Sequence, residues 1–507
     1  MSKYAKLAGQ RLAKWFLPLL VRFLPKWEAR QKLDKGLLTL ISWARMIPYD
    51  ADQRLQLDQV AEFIRQGHPV VDVVRRMIRH LHPSYLSCLI QNLYVPVWEK
   101  GNVRQAFRER EGFEPPFLAV ISPLKECNLQ CIGCYADAAR EKQEQRLDFR
   151  AMDRIVTELK SYGTPFIVFT GGEPTHPLIW EDIKQVCAKH HDQAFMMYTN
   201  GTLLDEKRVQ DLIELGNLSP AISIEGWEAE TDSRRGKGVF KKIVDAMDRL
   251  REAGVMFGFS LTYTSKNVAA ATDSRLIQFL LDKGACYGWY FMYVPVGKDP
   301  DTSLVVSPAD RDKIRDFTWR MLKEKGMFIF DFWNSGHLSQ GCIAGGRYLH
   351  INNRGDIEPC VFFKFTTHNI HNCTVVDALR SRLFQNVRMC HTKQRNPLTP
   401  CCFMDNPAAG KFAIEDSGAR PTEAGGEELF KSIYPFLERF SEEYYEKFAK
   451  RNWESNPDYD YFRSIYADGH WRQLRKVVSP EKTVLDNYNA VSEPLHDKAD
   501  KKEKTAV

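Results

Sequence analysis

Between residues 115 and 300 the chain alternates short, apolar, β-rich runs with longer stretches whose apolar residues return every three or four positions. The runs are FLAVISP (117–123), PFIVFT (165–170), AFMMYTN (194–200), PAISIEG (220–226), VMFGFSLTYT (255–264) and YGWYFMYVPVG (287–297). Short continuous apolar runs fit strands buried on both faces, and the intervening segments fit amphipathic helices. In LDFRAMDRIVTELKSYG, Asp148 is placed to cap a helix that carries Met152, Ile155, Val156 and Leu159 on one face. Six strand–helix repeats predict an α/β fold with a parallel sheet and right-handed crossovers, either open or curled into a barrel. Chemistry in such folds gathers at the C-terminal ends of the strands. The cysteine loop KECNLQCIGCYADA (125–138), GGEP, TNG and SIEG all fall there.

The flanks read differently. Residues 1–30 carry seven Lys/Arg against one acid, Glu28, with Trp15, Phe16, Leu19, Leu20, Phe23 and Leu24 at helical spacing. This pattern fits a membrane-surface element, or equally an amphipathic helix packed on the protein's own body. Residues 31–114 form a predicted helical module, including VVDVVRRMIRHL. After the 115–300 core come a helical connection (301–341), in which Ser307 caps and Pro308 starts a helix, a cysteine-bearing region (342–410), a helical extension (411–495) and a tail expected to be disordered (496–507).

A composition of 44% hydrophobic and 27% charged residues is that of a globular protein, and a net charge of +6 over 507 residues makes no case for nucleic acid as a partner. The twelve cysteines cluster in two regions instead of forming a small secreted disulfide framework. No apolar run approaches the length of a membrane span. A cytoplasmic setting is expected, with the N-terminus able to rest on the inner membrane face.

Cys127, Cys131 and Cys134 are spaced C-x3-C-x2-C. Three thiolates on a tight loop can hold three corners of a cubane iron–sulfur cluster and leave one iron open to a small molecule. Zinc completed by a distant residue, or three structural thiols, are the rival readings. The cysteine loop after the first strand, GGEP after the second and SIEG after the fourth, in that order, resemble the radical S-adenosylmethionine (radical SAM) superfamily over residues 115–300. That resemblance implies a partial (β/α)6 barrel and a [4Fe-4S] cluster held by Cys127, Cys131 and Cys134. It implies SAM chelated at the open iron and cleaved by one electron to a 5′-deoxyadenosyl radical that abstracts a substrate hydrogen, the electron coming from a flavodoxin- or ferredoxin-like donor. Gly171, Gly172, Glu173 and Pro174 would then hold the methionine amino group. Asn200 and Ser223 would lie near SAM, Glu225 would accept from the ribose hydroxyls, and Arg235 would pair with the SAM carboxylate. Where the family often has an aromatic residue before the third cysteine, this chain has Gly133, and Tyr135 is expected to take over the adenine contact.

The spacing C342-x12-G355-x4-C360 resembles the start of the SPASM/Twitch extension found in many radical SAM enzymes. It implies one auxiliary iron–sulfur cluster on Cys342, Cys360, Cys401 and a fourth group, with Cys390 foremost and His391 and Asp405 behind it. Of the adjacent pair Cys401–Cys402, only one is expected to ligate. Buried unligated thiols or a zinc site are the alternative. His80, His82, His176, His350, Cys88, Cys187 and Cys286 read as packing or surface groups. The function expected is hydrogen abstraction from a lipophilic, membrane-associated substrate. Maturation of a peptide or protein side chain is the alternative, and a non-catalytic electron carrier or a zinc-stabilised binding protein the remaining classes.

Overall fold

The computed structural model describes residues 23–29, 31–44, 58, 60–94, 101–138, 145–339, 341–391 and 394–467. Most of the predicted membrane-surface segment, part of the C-terminal extension and the whole 496–507 tail lie outside the described residues.

Six strands form where the apolar runs predict them: β1 (Leu118–Ile121), β2 (Phe166–Phe169), β3 (Ala194–Thr199), β4 (Leu218–Ser223), β5 (Gly258–Tyr263) and β6 (Gly288–Met292). They pair in parallel and in chain order, with registers such as Leu118 opposite Phe166 and Phe259 opposite Gly288. An order that never reverses lacks the switch point of a doubly wound sheet, so right-handed crossovers lay the helices on one side and leave the other side as an interior. That settles the open-or-curled alternative in favour of a partial barrel.

The sheet continues past both edges of the six. At one edge β7 (Ile329–Asp331) pairs in parallel with β6. At the other, β8 (Tyr348–Ile351) runs parallel to β1, with Leu118 opposite Tyr348 and Ile121 opposite Ile351. An antiparallel β9 (Asp356–Glu358) and the two-residue strand His368–Asn369 complete a ten-stranded sheet. The cysteine-bearing region is thus woven into the same sheet as the core.

Helix packing follows the sequence pattern closely. In the helix Phe149–Ser161, Asp148 accepts from the Ala151 N–H at 2.9 Å, and Met152, Ile155, Val156 and Leu159 are fully buried. At about 1.5–3 kcal/mol per fully buried large apolar side chain, these four contribute an upper estimate of about 6–12 kcal/mol. The helix Pro308–Lys325 opens as expected, with Ser307 Oγ accepting from the Asp310 N–H at 3.1 Å. Residues 69–80 form the predicted N-terminal helix, and the short helical segment 23–29 docks on it. There Leu24 is buried and Glu28 accepts from Arg79 Nε at 2.8 Å. Among the described residues no helix is long and apolar enough to cross a membrane.

Candidate active site

The period-two alternation of strands sends Leu118 and Val120 of β1, Val168 of β2, Tyr198 of β3 and Ser260 and Thr262 of β5 into the interior. With the loops after these strands they line a cavity open to solvent. Cys127, Cys131, Cys134, Tyr135, Gly171, Gly172, Glu173, Asn200, Ser223, Arg235, Cys342, Cys360 and Cys401 all lie on its wall. Pro174, Glu225 and Cys390 do not lie on it, whereas Cys402 does.

The cysteine loop is shaped by close approaches. Gly133 has φ +62°, and a Cβ there would stand 2.7 Å from the Tyr293 ring. Tyr293, from the turn after β6, therefore fills the room beside the position where an aromatic residue was expected. Gly171 has φ +106°, and at Gly172 a Cβ would fall 1.9 Å from the Glu126 carbonyl oxygen, so only glycine lets the second-strand loop lie against the cysteine loop. Cys127 Sγ accepts from the Leu129 N–H at 3.4 Å and from Asn200 Nδ2 at 3.7 Å, and Arg235 Nη1 lies 3.9 Å from Cys131 Sγ. Burial pushes the Cys127 thiol up to about 12. It also raises Cys131, with Arg235 pulling the other way. Donors aimed at sulfur stabilise thiolates, the form that binds iron, and cluster assembly must displace the thiol protons.

The carboxylates have partners of their own. Glu173 is buried, and its Oε1 accepts from the Thr175 N–H at 3.0 Å, Thr175 Oγ1 at 2.6 Å and Thr199 Oγ1 at 2.6 Å. Its Oε2 accepts from the Asn200 N–H at 2.8 Å. Through these four donors Glu173 ties the loop after β2 to the end of β3. Glu225 lies between two arginines, accepting from Arg235 Nε at 2.8 Å and facing Arg234 Nη1 at 2.8 Å. Glu173, expected beside an ammonium, and Glu225, expected beside ribose hydroxyls, thus both also bond within the protein. Ser223 Oγ lies 3.1 Å from Ser260 Oγ on the cavity wall, and Asn200 Nδ2 donates to Asn128 Oδ1 at 2.8 Å.

In the second cysteine region Cys342, Cys360, Cys401 and Cys402 face the cavity, and the free Cys402 thiol lies against those of Cys342 and Cys390. Cys390 is buried at the end of the helix Arg382–Cys390, behind Cys402. Asp405 is ion-paired with Arg311, and neither it, His391 nor Cys390 lines the cavity, whereas Cys402 does. Cys373 is apart, donating to the Asn369 carbonyl at 3.1 Å. Ring contacts link the two cysteine segments, Tyr135 to Phe362 at 5.4 Å and Phe362 to Trp333 at 5.3 Å. His350, read as a packing residue, bridges Ser122 and Glu358 in a buried network. Among the described residues no three His, Cys, Asp or Glu side chains converge tightly enough for a single metal ion. Soft thiols spread around a roomy cavity, with N–H donors on sulfur and glycine-only backbone beside them, fit an iron–sulfur cluster with a small-molecule partner.

Comparison with known proteins agrees. The family described as the radical SAM superfamily matches residues 121–265. The AdoMet-dependent heme synthase of Nitratidesulfovibrio vulgaris is 25% identical over 278 residues, 49% of this chain and 74% of that protein. The sporulation killing factor maturation protein SkfB of Bacillus subtilis is 25% identical over 285 residues, covering 53% and 66%. The solved structure of Streptococcus suis SuiB bound to S-adenosylmethionine overlays on 54% of this chain and 68% of its own, with a TM-score of 0.48 at 18% identity. With its ordered motifs at the strand ends of a partial barrel, this enzyme carries a radical SAM domain over residues 121–265, which implies a [4Fe-4S] cluster and S-adenosylmethionine as cofactors.

Proposed function

We propose that this enzyme abstracts a hydrogen atom from an uncharged, lipophilic substrate held in the cavity that both cysteine segments face. One observation carries the reading. Among the described residues the only Asp, Glu, Lys, Arg or His side chains on the cavity wall are Glu173, Arg234 and Arg235, and each is already bonded within the protein. The remaining wall is largely aliphatic and aromatic, with Tyr198, Phe291, Phe332, Trp333 and Phe362 among its residues. A charged substrate would find these groups engaged within the protein and a largely apolar wall around it, at a desolvation cost.

Cys127, Cys131 and Cys134 would hold the cluster, and Cys342, Cys360, Cys401 and Cys402 an auxiliary one. The chemistry supplied by the bound cluster and S-adenosylmethionine is one-electron cleavage of the sulfonium followed by hydrogen abstraction. The backbone of Gly171 and Gly172 lets the cofactor's amino-acid end approach closely, while Asn200 and Arg235 present N–H groups beside it. Tyr135 offers a ring to the adenine, and the apolar wall keeps water from the reacting centre. A flavodoxin- or ferredoxin-like protein would deliver the electron. The basic, aromatic residues 1–30 support meeting it at a membrane surface.

The test is anaerobically reconstituted enzyme given dithionite, S-adenosylmethionine and fractions from cells grown in deuterium oxide. Deuterium is expected in 5′-deoxyadenosine with the lipid fraction and absent in the Cys127→Ala/Cys131→Ala/Cys134→Ala variant. Transfer from the peptide fraction alone would overturn the proposal in favour of the second reading, peptide maturation, which the likeness to SkfB favours.

A further inference from the structure

Arg311 and Asp405 form a fully buried ion pair, both side chains at 0% exposure, 94 residues apart in sequence. The guanidinium is a hub. Nη2 donates to Asp405 Oδ2 at 3.2 Å, to the Trp333 carbonyl at 2.8 Å and to the Leu398 carbonyl at 3.2 Å. Nε donates to Asn334 Oδ1 at 3.2 Å, and the Tyr444 ring centroid lies 3.8 Å from the guanidinium carbon. Asp405 turns that anchorage onto a cysteine. Its Oδ2 accepts from the Cys401 N–H at 3.0 Å, and the N–H groups of Asp405 and Asn406 donate to the Cys401 carbonyl at 2.9 Å and 3.0 Å. Both backbone polar groups of Cys401 are thereby committed, and its Sγ, which accepts from the Met404 N–H at 3.3 Å, faces the cavity beside Cys402.

Stability alone does not account for this pair. Well-packed apolar residues in place of a buried ion pair are often neutral or stabilising, and the best-attested use of such pairs is to fix a register. The register fixed here is that of two adjacent cysteines. One residue of slip would displace both thiols from the cavity wall they now share. Through the Trp333 carbonyl, the same arginine also holds the aromatic wall.

We propose that Arg311 and Asp405 are positioning residues for the auxiliary iron–sulfur cluster, holding the Cys401–Cys402 turn so that its thiols meet Cys342 and Cys360. This rests on the ligand reading given under the proposed function. The test compares full-length reconstituted wild type with two double variants by iron and sulfide per chain and by low-temperature EPR of the reduced protein. Arg311→Met/Asp405→Leu removes the Cys401 N–H acceptor in an apolar, packable form, whereas Arg311→Gln/Asp405→Asn keeps an acceptor there. The apolar variant is expected to lose the auxiliary signal and about half the iron while retaining the first cluster's signal with S-adenosylmethionine. The amide variant is expected to keep both clusters with a changed auxiliary spectrum. Full iron and an unchanged auxiliary spectrum in the apolar variant would overturn the proposal, as would loss of the auxiliary cluster in the amide variant. A wild type that takes up one cluster only would overturn the ligand reading beneath it.

Discussion

Replacing Glu173 by Gln separates two accounts of the loop after β2. In the structure the carboxylate takes four donors, two of them the backbone N–H groups of Thr175 and Asn200. A glutamine amide has one acceptor oxygen. If that oxygen stays on the Thr175 and Thr199 side, its NH2 faces the Asn200 N–H and leaves a buried donor opposed by another donor. A lost hydrogen bond to a charged acceptor costs about 1.5–3 kcal/mol, so local opening around Asn200 should become easier by about 2–3 kcal/mol. At about 1.36 kcal/mol per tenfold, amide exchange there should speed up about 30- to 160-fold. Hydrogen exchange by mass spectrometry on cofactor-free protein reads this in peptides covering Thr175 and Asn200, with β6 as internal control. Unchanged protection of these peptides, together with weakened S-adenosylmethionine binding, would refute the reasoning, because the carboxylate would then be serving the ligand and not the loop.

Other expectations follow from the same geometry. Gly172→Ala places a methyl 1.9 Å from the Glu126 carbonyl oxygen; the two loops must separate, and equilibrium dialysis should show S-adenosylmethionine binding at least about tenfold weaker. In cofactor-free protein, Cys127 and Cys360 are both pushed by burial to about 12. Against an ordinary thiol at pH 8, about 1000-fold less thiolate, partly offset by its greater nucleophilicity, should make their alkylation about 30- to 60-fold slower by quantitative mass spectrometry. Burial raises Asp331 from 3.8 to about 6 despite donors from Asn334 and Tyr263. The folded state then holds the proton more tightly than the unfolded one, so the contribution of Asp331 is complete below pH 3.8 and is lost as pH rises through about 6. Asp331→Asn should flatten that slope in urea unfolding midpoints measured from pH 4 to 7.

What the sequence made legible follows from how local each signal is. The six core strands are continuous apolar runs, and the helices carry their caps within four residues, so both could be read directly. β7 has three residues and β8 four, too short to show a period, and they pair with strands 41 and 230 residues away. Strand order, which decides between an open sheet and a barrel, is a tertiary fact. The cysteine triplet was plain because loop spacing alone states it. The role of Glu173 was not, because one partner, Thr199, is 26 residues distant. The place of Cys402 on the cavity wall was not legible, because adjacent cysteines look like poor joint ligands and their turn is bonded to Asp405, which pairs with Arg311 from far along the chain.

β8 lies along β1, the strand that leads into the cysteine loop, with four residues in register on each. The second cysteine region is therefore no detachable cassette. Cutting the chain before residue 342 would strip a row of amide and carbonyl groups bare on Leu118–Ile121 and offer a sticky ribbon to any neighbouring chain. The two sulfur-bearing sites consequently share one backbone lattice, and the spacing between them is set by peptide hydrogen bonds instead of by a hinge.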